Sequence, residues 1–183
     1  YSLQKEFPEG PSVELLEIKT IAARGKTQQA IDKIIASKNG SSDFRFLLTL
    51  SILYLEQKQF KLANKVADEL LSAQSDNVDF LNIKAAILIK LKKLNLAKPL
   101  VKQVLDKQPG HFSALFNLST IYAAEQNYKE ANTILDDLLQ QQDSNIQVLI
   151  MSARMKWQLN DPANAVINLQ KVLTLQSNNI LAL

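Results

Sequence analysis

VDFLNIKAAILIKLKKLNLAKPLVKQVLDKQPGH (78–111) and FSALFNLSTIYAAEQNYKEANTILDDLLQQQDSN (112–145) are consecutive, equal in length, and align without a gap. Leu81 falls on Leu115, Ala85 on Ser119, Ala97 on Ala131 and Leu105 on Leu139. The same columns extend in both directions. Small residues stand at Ser51 and Ala153, alanine at Ala63 and Ala165, and leucine at Leu47, Leu149, Leu71 and Leu173, all at the same interval. A worn copy precedes them, with its alanine at Ala30, one position short of the full interval. A period of about 34 residues, with apolar residues three and four apart, marks pairs of amphipathic helices that bury their faces only by stacking on their neighbours. Small residues at fixed places in both helices let two backbones approach, and the larger ones fill the gaps between units. Such architectures build long surfaces rather than closed catalytic clefts.

Composition agrees with an all-helical body. With 46% hydrophobic residues, four glycines and a mean hydropathy of −0.08, the chain can bury a continuous core. No stretch approaches the ~20 apolar residues needed to cross a bilayer. The absence of cysteine excludes disulfides and thiol chemistry and leaves the compartment open. Because Tyr1 is no natural start and Ile180–Leu183 opens another unit, with Leu183 in the leucine column, the parent chain is expected to continue in both directions, or at least past Leu183.

The pattern predicts first helices near 12–24, 44–57, 78–91, 112–125 and 146–159, and second helices near 27–38, 61–73, 95–107, 129–141 and 163–175. Asp43, Asp76 or Asn77, and Ser144 or Asn145 are positioned as N-caps. Asn160-Asp161-Pro162 and Pro109-Gly110 are turn signals. Pro99 is expected within the first turn of a helix starting at Leu96, where amides lack internal partners.

At these residues the chain resembles the tetratricopeptide repeat family, whose unit is about 34 residues long with small, small and alanine columns and a proline near its end. Units 44–77, 78–111, 112–145 and 146–179 fit; 11–43 fits at Ile18, Ile21, Gly25 and Ala30, while Glu14 and Glu17 occupy columns that are apolar elsewhere, as in a degenerate or capping unit. Residues 1–10 form an extension. Tyr54 and Tyr122 stand where the family favours tyrosine, Pro109 stands in its proline column, and Lys156 breaks the tyrosine column. A pentatricopeptide repeat, which reads RNA, would have a period one position longer and other columns. The resemblance implies an all-α, right-handed superhelical solenoid of antiparallel helix-turn-helix repeats.

It further implies that the first helices line a concave face. Carried over, the partner-binding wall is Arg45, Leu48, Ile52 and Leu55, then Asn82 and Ile89, then Phe116, then Ile150, Arg154 and Trp157, with Leu15 and Lys19 ahead of them. An apolar groove rimmed by Arg and Asn suits an amphipathic helix or extended apolar peptide, with aromatic and arginine anchors; coverage by a neighbouring segment or a second copy is the alternative. Trp157, the sole tryptophan, either anchors a ligand or rotates inward to replace the missing tyrosine of its unit. The family's carboxylate clamp is absent, since the matching positions hold Leu48, Ile52, Ile83, Ser113 and Asn117. Its asparagine ladder is absent too, the column reading Leu16, Thr49, Ile83, Asn117 and Met151.

No constellation supports catalysis, a cofactor or a metal. His111 is the sole histidine and is expected to be a solvated turn residue. Gly25-Lys26-Thr27 lacks the upstream glycine and strand of a phosphate loop and reads as a turn between helices. Asp136-Asp137 are adjacent on a helix and point apart. Charge alternates in blocks: unit 78–111 sets seven lysines against Asp79 and Asp106, and unit 112–145 sets Lys129 against five acids. Such blocks can steer a charged partner or join copies, or simply solvate an outer face. Nucleic acid would need the basic stripe to continue, and an acidic unit follows it.

The function read from the sequence is a non-enzymatic scaffold that binds a protein or peptide partner in its concave groove, without nucleic acid or membrane insertion. The alternatives are the arm of a larger envelope protein or enzyme whose chemistry lies outside these residues, and a self-assembling homo-oligomer. The Lys, Asn, Gln and Ile-rich unit style resembles bacterial repeat proteins of envelope polysaccharide or pilus assembly, which implies the periplasm or envelope.

Overall fold

The computed structural model describes residues 11–38, 40 and 43–176. The extension 1–10 and the further unit begun at 180–183 lie outside the described residues. Among these residues there are ten α-helices and no strand: α1 (Pro11–Ala23), α2 (Thr27–Ala36), α3 (Phe44–Glu56), α4 (Phe60–Ala73), α5 (Val78–Lys90), α6 (Leu94–Lys107), α7 (Phe112–Ala124), α8 (Tyr128–Gln141), α9 (Ile146–Gln158) and α10 (Pro162–Leu175). The class is all-α, a helical-repeat fold, and the observed bounds follow the period of the sequence. The chain divides into two compact units, Tyr1–Leu91 and Lys92–Leu183.

Two local devices recur with the period. The first is an acceptor side chain ahead of four first helices, α3, α5, α7 and α9. Asp43 accepts from the Arg45 amide at 2.9 Å, Asn77 from the Asp79 amide at 3.0 Å, His111 Nδ1 from the Ala114 amide at 3.1 Å and Asn145 from the Val148 amide at 3.2 Å. Each satisfies a first-turn N–H that has no partner inside the helix. His111 is therefore half-buried capping apparatus, not the solvated turn residue its sequence context suggests.

The second device ends the first helices. Gly25, Lys58, Lys92, Gln126 and Asn160 all have positive φ, between 58° and 77°. Around Lys58 the Gln59 amide donates to Tyr54 O at 2.8 Å and the Lys58 amide to Leu55 O at 3.1 Å. The pattern recurs at Gln126, where Asn127 donates to Tyr122 O at 2.8 Å, and at Asn160, where Asp161 donates to Lys156 O at 2.9 Å. This is the Schellman closure, in which a left-handed residue lets two amides return to the last carbonyls of the helix.

The small-residue columns form the closest approaches. Ala30, Ala63, Ala97 and Ala131 are fully buried, and Ser51 Oγ donates to Ala63 O at 3.2 Å, so these two helices touch nearly backbone to backbone. In the first unit Phe46, Leu50 and Leu53 of α3 close over Leu15, Ile18, Ala30 and Ile34. In the second, Val148 and Met155 of α9 close over Ala131, Leu135 and Leu138 of α8. Burying side chains of this size contributes about 1.5–3 kcal/mol each.

Pro99 departs from expectation. The helix begins at Leu94, so Pro99 is its sixth residue and lies beyond the first turn. It withholds the amide that Asn95 O would otherwise accept. Both residues are exposed, so that carbonyl remains open to solvent.

Candidate functional site

In the first unit α1 and α3 lie side by side, and the turn of α3 that carries Leu48, Ile52 and Leu53 faces Leu15, Lys19, Ala22 and Ala23 of α1. With Arg45, Thr49 and Glu56 they line a groove of about 430 Å³. Leu15 and Leu53 are buried in its floor, Leu48 is half-buried and Ile52 is exposed. One end is fixed by Arg45, whose Nε donates to Asp43 Oδ1 at 3.0 Å, Nη2 to Asp43 Oδ2 at 2.6 Å and Nη1 to Ser12 Oγ at 3.2 Å. The fork holds the Asp43 carboxyl below its ordinary value, against the opposing effect of burial, and raises Arg45 in turn. Asp43 thus caps α3 and orients a groove residue at once. Glu56 closes the other end.

In the second unit Ile150, Arg154 and Trp157 of α9 meet Ala153 and, from α10, Ala165 and Leu169 in a groove of about 200 Å³. Trp157 is 61% exposed, which decides between the two readings of its sequence: it does not fill the tyrosine column. Lys156 does. Its Nζ reaches Asp136 Oδ1 of α8 at 2.9 Å, with a mostly buried stem.

Six of the ten residues expected on the wall therefore fall into these two grooves, three in each. The other four line neither. Leu55 packs on Ile83 and Ile87, and Phe116 packs beside Ala131 and Leu135. Asn82 and Ile89 are half-buried.

Sequence reasoning missed a set of buried polar contacts. Lys84, 9% exposed in a column that holds Leu50 and Leu118 in other units, donates from Nζ to Asp68 Oδ1 at 2.5 Å and Asn64 Oδ1 at 2.8 Å. In the second unit Ser152 Oγ lies 3.3 Å from Asn132 Oδ1 and accepts from Asn168 Nδ2 at 3.0 Å. A signal was present: Asn64 and Asp68 recur two periods on as Asn132 and Asp136. Three of the five acids of unit 112–145 are also paired with lysines of the flanking repeats, Glu125 with Lys98, Asp136 with Lys156 and Asp143 with Lys171. Lys98 also lies over the Tyr122 ring at 5.5 Å. Apolar side chains form the floors of both grooves, Leu15, Leu48, Ile52 and Leu53 in the first and Ile150, Ala153, Ala165 and Leu169 in the second.

Two family descriptions, each a tetratricopeptide repeat, match residues 88–155 and 146–179 and together span half of the chain. Solved structures are similar along almost its whole length. MamA from Desulfovibrio magneticus RS-1, residues 41 to the end, is 18% identical over 94% of this chain and 99% of that one, with a TM-score of 0.65. A thermophilic repeat protein of Thermus thermophilus is 14% identical over 94% and 95%, with a TM-score of 0.81. YrrB, described as having an unusual peptide-binding site, is 18% identical over 98% and 93%, with a TM-score of 0.59. At these identities the likeness is one of fold. No curated protein sequence matches the chain.

Proposed function

We propose, since the chain belongs to the tetratricopeptide repeat family, that it is a non-enzymatic interaction scaffold that holds a peptide or helix of a partner protein in the groove between α1 and α3. The observation that carries this reading is the groove itself: an apolar floor of Leu15, Leu48, Ile52 and Leu53, with an arginine already oriented at its mouth. Leucine and isoleucine left open in a concavity of about 430 Å³ give a peptide apolar area to bury, and Arg45, held by Asp43, loses little freedom when a partner arrives. The family is one of protein-interaction modules, and a structural neighbour is described by its peptide-binding site, which supports the same class of ligand.

A displayed peptide library selected on the wild-type chain tests it, with each enriched peptide re-measured on Ile52→Glu and Trp157→Asp. Both positions are exposed, so the fold survives. Peptides seated between α1 and α3 lose at least about tenfold in affinity on Ile52→Glu, from lost burial and a new charge, and are unchanged by Trp157→Asp. Enriched peptides that ignore Ile52→Glu would sink the assignment.

A further inference from the structure

The groove between α1 and α3 has a direction. Ser12 and Arg45 are each the second residue of their helix and are joined at 3.2 Å; Ala23 and Glu56 are each the last residue and line the groove together. The two helices therefore run the same way, and their dipoles add, so the Arg45 end is electropositive and the Glu56 end electronegative. From Arg45 to Glu56 the groove is about 16 Å long at the rise of an α-helix. Both walls are described helices of one compact unit, and the chain enters α1 at the Arg45 end, away from Glu56.

The side chains sharpen that polarity. At the positive end each guanidinium nitrogen of Arg45 donates once, to Asp43 or Ser12, and its remaining N–H groups have no partner among the described residues. Lys19, exposed on the α1 wall, adds a cation that no described residue pairs. At the other end stands Glu56, exposed and also without an ion-pair partner among the described residues. An acid there runs against local physics, because a helix C-terminus disfavours negative charge and two C-termini lie side by side. The other first helices end on Ala23, Lys90, Ala124 and Gln158, so the acid is no part of the repeat pattern. Between the charged ends the floor is apolar, and Thr49 turns its hydroxyl back to Arg45 O at 2.7 Å.

We propose that the occupant of this groove is a peptide segment with an acid and a base on opposite sides of its apolar residues, seated so that the base meets Glu56 and the acid faces Arg45 and Lys19. This rests on the reading of the groove as a peptide site and adds its selection rule. Apolar burial supplies the affinity; the charges fix which way the segment lies and reject segments with acids or bases at both ends, by setting like charges together. In an extended segment the two charges stand about five residues apart.

The test starts from displayed peptides enriched on the wild-type chain and lost on Ile52→Glu, which by that loss sit in this groove. They are expected to carry an acid and a base flanking the apolar residues. Replacing the base of one such synthetic peptide by Gln should weaken binding at least about threefold on wild type and leave binding to Glu56→Gln unchanged. On Glu56→Lys the same peptide with Glu in place of the base should bind better than the original. Glu56 is exposed, and Glu56→Gln removes a charge from a disfavoured helix end, so that variant should melt no lower than wild type. Peptides lost on Ile52→Glu that carry no base, or whose base counts equally on wild type and Glu56→Gln, overturn the charge rule and leave the groove reading standing. If no enriched peptide responds to Ile52→Glu, both fall. A Glu56→Gln that melts below wild type assigns the acid to the fold, and an affinity that rises at least about tenfold on deleting 1–10 assigns the groove to the chain's own start; either result also overturns the proposal.

Discussion

Lys58, Lys92 and Gln126 hold a left-handed backbone at φ 59°, 59° and 64°, where the Cβ of an L-residue crowds the following carbonyl at about 1–2 kcal/mol. Glycine removes that crowding but enters from a freer unfolded chain, which returns about 0.5–1 kcal/mol. The difference is a net gain of about 0.5 kcal/mol per site, and all three side chains are exposed, so their removal forfeits little packing. Together Lys58→Gly, Lys92→Gly and Gln126→Gly are expected to stabilise the chain by about 1.5 kcal/mol, or to raise Tm by about 3–6 °C for a protein of this size. Asn160, a residue type that tolerates this region, gains close to nothing on Asn160→Gly. The discriminating control is one residue away. Gln57 has φ −75°, so Gln57→Gly relieves no strain; it adds the entropic cost and removes the hydrogen bond that Gln57 Oε1 accepts from Gln59 Nε2 at 2.8 Å, and is expected to lose about 1–2 kcal/mol. Urea titrations followed by circular dichroism compare the neighbouring pair directly. If Lys58→Gly destabilises as much as Gln57→Gly, left-handed strain is not what these turns hold and the reasoning fails.

Other perturbations follow from the caps and the buried pair. His111→Ala should cost about 1 kcal/mol by removing the acceptor of the Ala114 amide, and His111→Asn should restore most of it; equal losses in the two melts would refute the capping role. Asp68→Ala leaves the Lys84 ammonium without its carboxylate and should cost about 1–3 kcal/mol, whereas Lys84→Leu restores the residue of its sister columns and should be within about 1 kcal/mol of wild type; the reverse order in denaturant melts would show the pair to be a net stabiliser. Asp43, Asp143 and Asp161 are each held below the ordinary 3.8, chiefly by hydrogen bonds from Arg45, Lys171 and Asn164. Depressed carboxylates contribute stability that is present above the unfolded value and lost as pH falls through the folded one. Tm should therefore decline below about pH 4, and less steeply in Asp43→Asn/Asp161→Asn, which retains cap acceptors that do not titrate; parallel acid profiles would exclude this source.

The period, the helix types and most caps were legible because they depend on residues near one another along the chain. A regular repeat of small and leucine columns specifies helical hairpins by burial pattern alone, and Asp43, Asn77 and Asn145 cap amides two or three residues ahead of themselves. Gly25 announced a left-handed turn by its chemistry; Lys58, Lys92 and Gln126 did not, and only alignment with Gly25 could have exposed them. His111 was misread because a histidine offers its acceptor nitrogen only when the backbone turns toward it.

What the tertiary structure decided is which of two adjacent residues turns inward. Lys156 and Trp157 are about 100° apart on one helix, and the sequence alone leaves open which of them turns inward. The packed α8 instead presents Asp136 on the side of Lys156, so the ammonium takes the buried column and the indole faces the open groove. Placement of the carboxylate comes from another helix, 20 residues away along the chain, and no local pattern encodes it. The amino-acid sequence by itself determined a stack of helical hairpins; the packing between hairpins determined which side chains the stack leaves exposed.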